Sequence, residues 1–339
     1  MGRGEPGSYA RSWTAPDYSV DDQGKVRGAY EPSGVNNWGR WGEDDQIGTQ
    51  NLIGPAQRVD AARSVRDGKV FSLALPIDAN GPRFHTRPAP LHWFLMTGSD
   101  QVAGTPYAAV DPGFQWNDDM FQMPLQGSTQ WDAFGHVMYR DTMYNGYWAG
   151  NITAFGGASV LGIEHHRTSF VGRSVLLDVA RSEGHDVLPA NTVVDRAMLE
   201  RCVEAEALEL RSGDIVLVRT GYLSLWDPTW TPDAVMQYFF GSPGLGLSTI
   251  EWCHEHDVSA VATDTIAVEV FQPEDPEARR YPVHCGALID LGLPLGEFWV
   301  LDELAADCAQ DGRYEFMLVA PPLNIPAAVG SPINPIAIK

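Results

Sequence analysis

Gln126-Gly127-Ser128-Thr129-Gln130-Trp131-Asp132-Ala133-Phe134-Gly135-His136 is the stretch from which the chain has to be read. It sets two amides, a carboxylate and an imidazole among small and aromatic residues, which is the density of a site rather than of an ordinary loop. On a strand, alternate residues share a face, so Gln126, Ser128, Gln130 and Asp132 point the same way. On a helix, residues four apart are neighbours, which pairs Gln126 with Gln130 and Asp132 with His136. The Gly and Ser near the start predict a strand or irregular turn that passes into a helix over 132–139.

On the N-terminal side, the loop 83–93 sets Arg83, His85, Arg87 and His92 between prolines. It reads as a locally basic pocket mouth suited to a carboxylate, with Trp93 and Phe94 as floor. Residues 69–77 alternate and predict a strand, and 55–67 predict a helix with apolar positions at Val59, Ala62 and Val65. Residues 1–35, rich in Gly, Pro, Ser and charge, read as an extended arm whose tyrosines and Trp13 dock on the body or on a partner subunit.

On the C-terminal side, predicted strands at 173–179, 213–220, 258–263 and 314–319 alternate with helices at 195–210, 248–256 and 301–310. Asp195 is the expected N-cap of the first helix, and Ser248 with Glu251 has capping-box spacing. This rhythm predicts an α/β domain with part of its sheet parallel. No linker within 36–339 is long enough to force a domain boundary. Ligand groups in such sheets gather beyond strand ends, which makes Arg219, Thr220 and Asp264 secondary candidates. His284 and Glu297 flank an apolar run at 287–291 that ends at Gly292.

Of the 339 residues, 44% are hydrophobic and 20% charged, a globular balance. With 44 acidic against 23 basic residues the net charge is −21, which repels nucleic acid and anionic membranes. No apolar run reaches the roughly 18 residues of a membrane span, and the start of the chain has no signal-like apolar segment. A soluble cytoplasmic protein is expected. Cys202, Cys253, Cys285 and Cys308 form no C-x-x-C pair and predict reduced thiols. Cys285, beside His284, is the one to test by alkylation.

Asp132, His136, His284 and Glu297 form the informative set. Two imidazoles and two carboxylates suit a zinc or manganese site, and equally a metal-free acid/base site. Spacing leaves both open.

The quoted stretch resembles the cyclase family of metal-dependent hydrolases, which includes bacterial kynurenine formamidase and isatin hydrolase. There the segment has the form His-x-Gly-Thr-His-x-Asp-x-Pro-x-His. The resemblance extends over most of 36–339, through Asn37-Trp38-Gly39, the segment 213–221, and His284 with Glu297. It implies one compact β/β/α domain of the swivelling type, with a mixed sheet and flanking helices, assembled as a homodimer or larger. It also implies that Asp132, His284 and Glu297 ligate a divalent metal (Mn, Zn or Mg) and that His136 is the general acid/base.

At two positions the chain departs from the pattern: Gln126 and Gln130 stand where the family has metal-binding His. An amide oxygen is a weaker ligand than imidazole for transition metals. Three readings follow. A single metal is kept by Asp132, His284 and Glu297, with a Gln oxygen. Alternatively there is no metal, and Gln126 and Gln130 donate to an oxyanion in a lyase, isomerase or cyclase while His136 moves protons. In the third reading the protein binds a small molecule without turnover. The substrate expected is a small cyclic amide, lactone or formamide, in a pocket lined by Trp93, Trp116, Trp131, Phe134 and His92.

Overall fold

The apolar runs Val171–Leu177, Ile215–Val218 and Ala260–Thr263 lie side by side in parallel, buried over almost their whole length. Burial on both faces is what continuous rather than alternating hydrophobicity demands. The computed structural model describes residues 15–84, 86–104, 113–271 and 281–339. Within them, nine strands form one sheet. Its order is Gly330–Pro332, Gln130–Asp132, Leu295–Glu297, Ala260–Thr263, Ile215–Val218, Val171–Leu177, Glu315–Val319, Ile336–Ile338 and Val70–Ser72. The four central strands run parallel and the outer pairings are antiparallel. The expected α/β architecture with a mixed sheet and flanking helices is therefore observed.

Strand periodicity divides the interior into two cores. Val175, Leu177, Val216 and Val218 face one way, with the helices Arg196–Ala205 and Ser248–Glu255 packed on them. Leu176, Ile215 and Leu217 face the other way, toward the helix Asp302–Asp311. Asp195 caps its helix as expected, accepting from Met198 N at 2.8 Å. The Ser248/Glu251 box does not form, because Ser248 Oγ instead accepts from Arg196 N at 3.0 Å and ties the two helices together. The helix expected over 55–67 spans Pro55–Ser64. It buries Ala61, while Val59 is 51% exposed.

Of the tyrosines in 1–35, Tyr9 lies outside the described residues and two contact the body: Tyr30 OH donates to Asp290 Oδ1 at 2.8 Å, and Tyr18 OH accepts from Trp148 Nε1 at 3.2 Å. Trp13 lies outside the described residues. Asn37 and Trp38 have a direct bearing on the site. Asn37 Nδ2 donates to Leu291 O and Trp38 Nε1 to Ile289 O, which clamps the wide π-type turn Cys285–Leu291 that follows His284. That turn ends at Gly292, whose φ of 59° is left-handed and suits glycine. No helix among the described residues is long and apolar enough to cross a membrane.

Candidate active site

Strand parity builds the floor of the site. Gln130–Asp132 is sandwiched between two antiparallel neighbours, with Glu297 opposite Gln130 and Gly330 opposite Asp132. Opposed residues of an antiparallel pair project from the same face, so Gln130, Asp132 and Glu297 converge. Trp131, between them, must point the other way. It is fully buried there, stacked on Phe170 at 4.3 Å and edge-on to Trp299 at 4.9 Å, with its Nε1 donating to Ala320 O at 2.9 Å. Its expected role as a substrate-binding residue is corrected: it belongs to the core.

The helix expected over 132–139 is a single 3-10 turn, Phe134–His136. Gly135 N bonds to Leu161 O in a neighbouring loop instead of continuing a helical ladder, and Val137 is extended. The turn still carries His136 back toward Asp132, with 4.0 Å between Nε2 and Oδ1. Phe134 packs against Tyr144 and His166 in the core, so it too is corrected as a substrate contact.

His284 arrives from across the sheet on the short turn Pro282–His284. Its Nδ1 lies 2.5 Å from Glu269 Oε1, and the same carboxylate accepts from the backbone N of His284 at 2.9 Å and of Val283 at 3.1 Å. With Nδ1 engaged, Nε2 is turned toward Glu297 Oε1 at 3.7 Å. One ligand atom each from Asp132, His284 and Glu297 lie within 4.8 Å of one another, all three residues buried, a set that could hold a metal ion.

Gln130 Nε2 donates to Glu297 Oε2 at 2.8 Å and lies 3.4 Å from Asp132 Oδ1. Only the amide nitrogen can face two carboxylates, so the orientation of this side chain is fixed. Gln130 is therefore no oxyanion donor, and that expectation is corrected. Its Oε1 and Asp132 Oδ2 are buried acceptors without a hydrogen-bond partner among the described residues, and Gln126 Nε2 is a donor in the same condition. A Cβ at Gly330 would come within 2.4 Å of Gln126 Nε2, so the Gln126 amide occupies the space that only glycine leaves opposite Asp132.

Burial lowers the pKa of His136 from its ordinary value, opposed in part by the charge of Asp132. The imidazole is neutral near pH 7 and able to accept a proton. Burial pulls His284 the same way, but its hydrogen bonds to Glu269 and Glu297 prevail and raise it to about 10. Glu297 is pushed up to about 7, chiefly by burial.

These groups open on a cavity of about 460 Å³, whose lining includes Phe84, Arg87, His136, Tyr281, His284 and Glu297. A wider groove of about 870 Å³ runs past Tyr30, Tyr139 and Asp290. None of the converging imidazoles and carboxylates lines it, so the chemistry is assigned to the smaller cavity.

Trp93 and His92 stand on an exposed hairpin of Leu91–Met96 and Asp118–Gln122, where His92 pairs with Asp119 at 2.6 Å. Trp116 bonds to Asp118 and stacks on Phe114. None of the three lines the cavity. Of the basic loop only Arg87 does: Arg83 donates to Ala79 O, and His85 lies outside the described residues. Arg219, Thr220 and Asp264 are structural. Arg219 pairs with Asp178 and Asp302, and Asp264 accepts from Thr220 and Gly221. Cys285 borders the cavity, while burial raises the pKa of Cys253 and Cys308 to about 12.

Glu269 had escaped sequence reasoning. Its signal was a single carboxylate inside the apolar run 266–271, since a charge buried there has to find a partner.

The mixed sheet is similar in fold to isatin hydrolases. Isatin hydrolase A from Labrenzia aggregata, bound to benzyl benzoate, matches with a TM-score of 0.55 at 18% identity, over 83% of this chain and 97% of that one. An isatin hydrolase bound to the product analogue thioisatinate matches at 0.55 and 17%, over 85% and 99%. The chain itself belongs to the cyclase family. The family model described as "Putative cyclase" matches residues 71–270, and the crystal structure of a novel cyclase shares 47% identity with a TM-score of 0.84, over 90% of this chain and 100% of that one. No curated protein is matched.

Proposed function

We propose that this chain is a hydrolase that opens the carbonyl of a small cyclic amide, lactone or formamide. In this reading Asp132, His284 and Glu297 hold one divalent cation and His136 moves the proton. At 17–18% identity the isatin hydrolases speak for the fold, and the residues carry the chemistry.

The observation that carries the reading is the pair of buried acceptors without donors, Gln130 Oε1 and Asp132 Oδ2, beside a three-residue set of ligand atoms. Asp132, Glu297 and Glu269 surround one imidazole, so the site has surplus negative charge. A buried acceptor left bare costs about 1–3 kcal/mol, and a cation satisfies several at once. The donor set, two carboxylates with one imidazole and an amide oxygen, fits manganese, magnesium or zinc. Because the two glutamates keep His284 protonated, cation and proton compete for the same place.

When bound, such an ion polarises a carbonyl and acidifies water. The neutral His136 accepts the proton of the attacking water and returns it to the departing nitrogen or oxygen, leaving a carboxylic acid and an amine or alcohol. In this reading Gln126 Nε2, a buried donor without a hydrogen-bond partner among the described residues, donates to the developing oxyanion. Gln130 keeps Glu297 and Asp132 in register.

The test is turnover of a panel of cyclic amides, lactones and N-formyl aromatic amines. Stoichiometric acid release is expected, lost on chelation and restored by manganese or zinc. No turnover by metal-replete protein would leave the binding-protein reading standing instead.

Glu269→Gln checks the second partner of His284. The amide oxygen can still accept from the backbone, but the negative charge on Nδ1–H is gone. Affinity for the cation is expected to fall about 10- to 100-fold, with the thermal midpoint little changed. Unaltered affinity would remove Glu269 from the site.

A further inference from the structure

The two buried arginines among the described residues are paired: Arg173 meets Asp214 and Glu315, and Arg219 meets Asp178 and Asp302. A chain with 44 acidic and 23 basic residues has carboxylates to spare for every cation. Arg87, like the half-buried Arg58 and Arg83, has no such partner among the described residues, and of the three it alone lines the cavity of His136 and Glu297. Half-buried on the cavity wall, it makes no ion pair among the described residues, and its only side-chain hydrogen bond there runs from Nη1 to Gln126 O at 2.6 Å. That bond, with Arg87 N donating to Phe84 O at 2.9 Å, anchors the guanidinium and leaves Nε and Nη2 without acceptors among the described residues.

Asp132, Glu297 and Glu269 gather around His284 at the cavity's buried end, and Arg87 lies near enough for its charge to act on Glu297 and His136. Arg87 also borders two surface clefts, one past Pro76 and Gly127 and one past Trp226 and Trp230, so it stands at the rim. Phe84, Val137, Met138, Ile266, Phe271 and Tyr281 give the cavity walls an apolar and partly aromatic character. A planar guanidinium with free, parallel N–H groups matches a carboxylate bidentately.

We propose that the cavity takes a flat, largely apolar substrate that bears a carboxylate, and that Arg87 binds this group at the rim so that the reacting carbonyl is directed to His136 and the Asp132–Glu297 end. The direction of the carbonyl rests on the hydrolase reading; the recognition of the carboxylate does not. Arg87 is thus a specificity residue.

Calorimetric titration of the full chain with benzoate and with benzamide, its neutral isostere, tests this without turnover, so its failure is separable from failure of the hydrolase reading. The wild type is expected to bind benzoate at least about 10-fold more tightly than benzamide, as a charge-assisted pair should. Arg87→Gln can still donate to the Gln126 carbonyl but has no charge. It should abolish the preference while benzamide affinity changes less than about twofold. Arg87→Lys should retain part of it. Equal wild-type affinities, or a benzoate preference that persists in Arg87→Gln, would overturn the proposal; the latter outcome would put the carboxylate at the deep end. Should Arg87→Gln bind neither probe, Arg87→Lys decides: a remaining preference supports the proposal and its complete loss opposes it.

Discussion

His136→Ala is expected to lower kcat by about 10²- to 10⁴-fold, the range for loss of a positioned general acid/base, while cation content and thermal stability stay near wild type. The imidazole is not among the three converging ligand groups, and it is partly open to the cavity rather than packed in the core. The wild-type pH profile should agree. Because burial holds the His136 pKa below its ordinary 6.5, the proton-accepting form persists at neutral pH and is lost as pH falls through a value under 6.5. kcat/KM should therefore drop on an acidic limb below that point, and the limb should vanish from the residual rate of His136→Ala. A variant that keeps the limb and more than a tenth of the rate would assign the proton transfer to another group.

Trp131→Ala is expected to destabilise the fold by about 3–5 kcal/mol, with a fall in the thermal midpoint on the order of 10 °C. Its ring is fully buried against Phe170 and Trp299, and its loss also strands the Ala320 carbonyl. KM measured well below the new midpoint should be nearly unchanged. A Trp131 stacked on substrate would give the opposite pattern, KM raised about 10-fold with stability intact.

That contrast marks where the sequence was legible. The parity that sets Gln130 and Asp132 on one face already sends Trp131 to the other, so its exclusion from the pocket lay in the strand reading itself. Long-range convergence was not available in the same way. His284 and Glu297 reach Asp132 only because Leu295–Glu297 pairs with Gln130–Asp132 across more than 160 positions of sequence. The resemblance to the cyclase family supplied that link, and spacing did not. Three strands of the parallel centre, Val171–Leu177, Ile215–Val218 and Ala260–Thr263, were readable because they are short, apolar and alternate with helices, whereas the fourth, Leu295–Glu297, was not. The exact reach of the 126–136 stretch was not, since what stops a helix after Asp132 is a bond from Gly135 to Leu161.

The two glutamines, which replace family imidazoles, now have distinct places. Gln130 presents its nitrogen to Glu297 and Asp132, and its oxygen is buried without a hydrogen-bond partner among the described residues, whereas Gln126 Nε2 fills the space over Gly330. An unpartnered Gln130 oxygen is compatible with a cation and unsuited to binding an oxyanion. Recognition at the rim falls to Arg87, which composition could not have singled out in so acidic a chain.

Elemental analysis of the purified wild-type protein beside Asp132→Asn tests the central claim most directly. The account predicts about one equivalent of manganese, zinc or magnesium per wild-type chain, largely lost from Asp132→Asn together with turnover. A wild-type chain free of divalent metal that turns over substrate unchanged in the presence of chelator would contradict it.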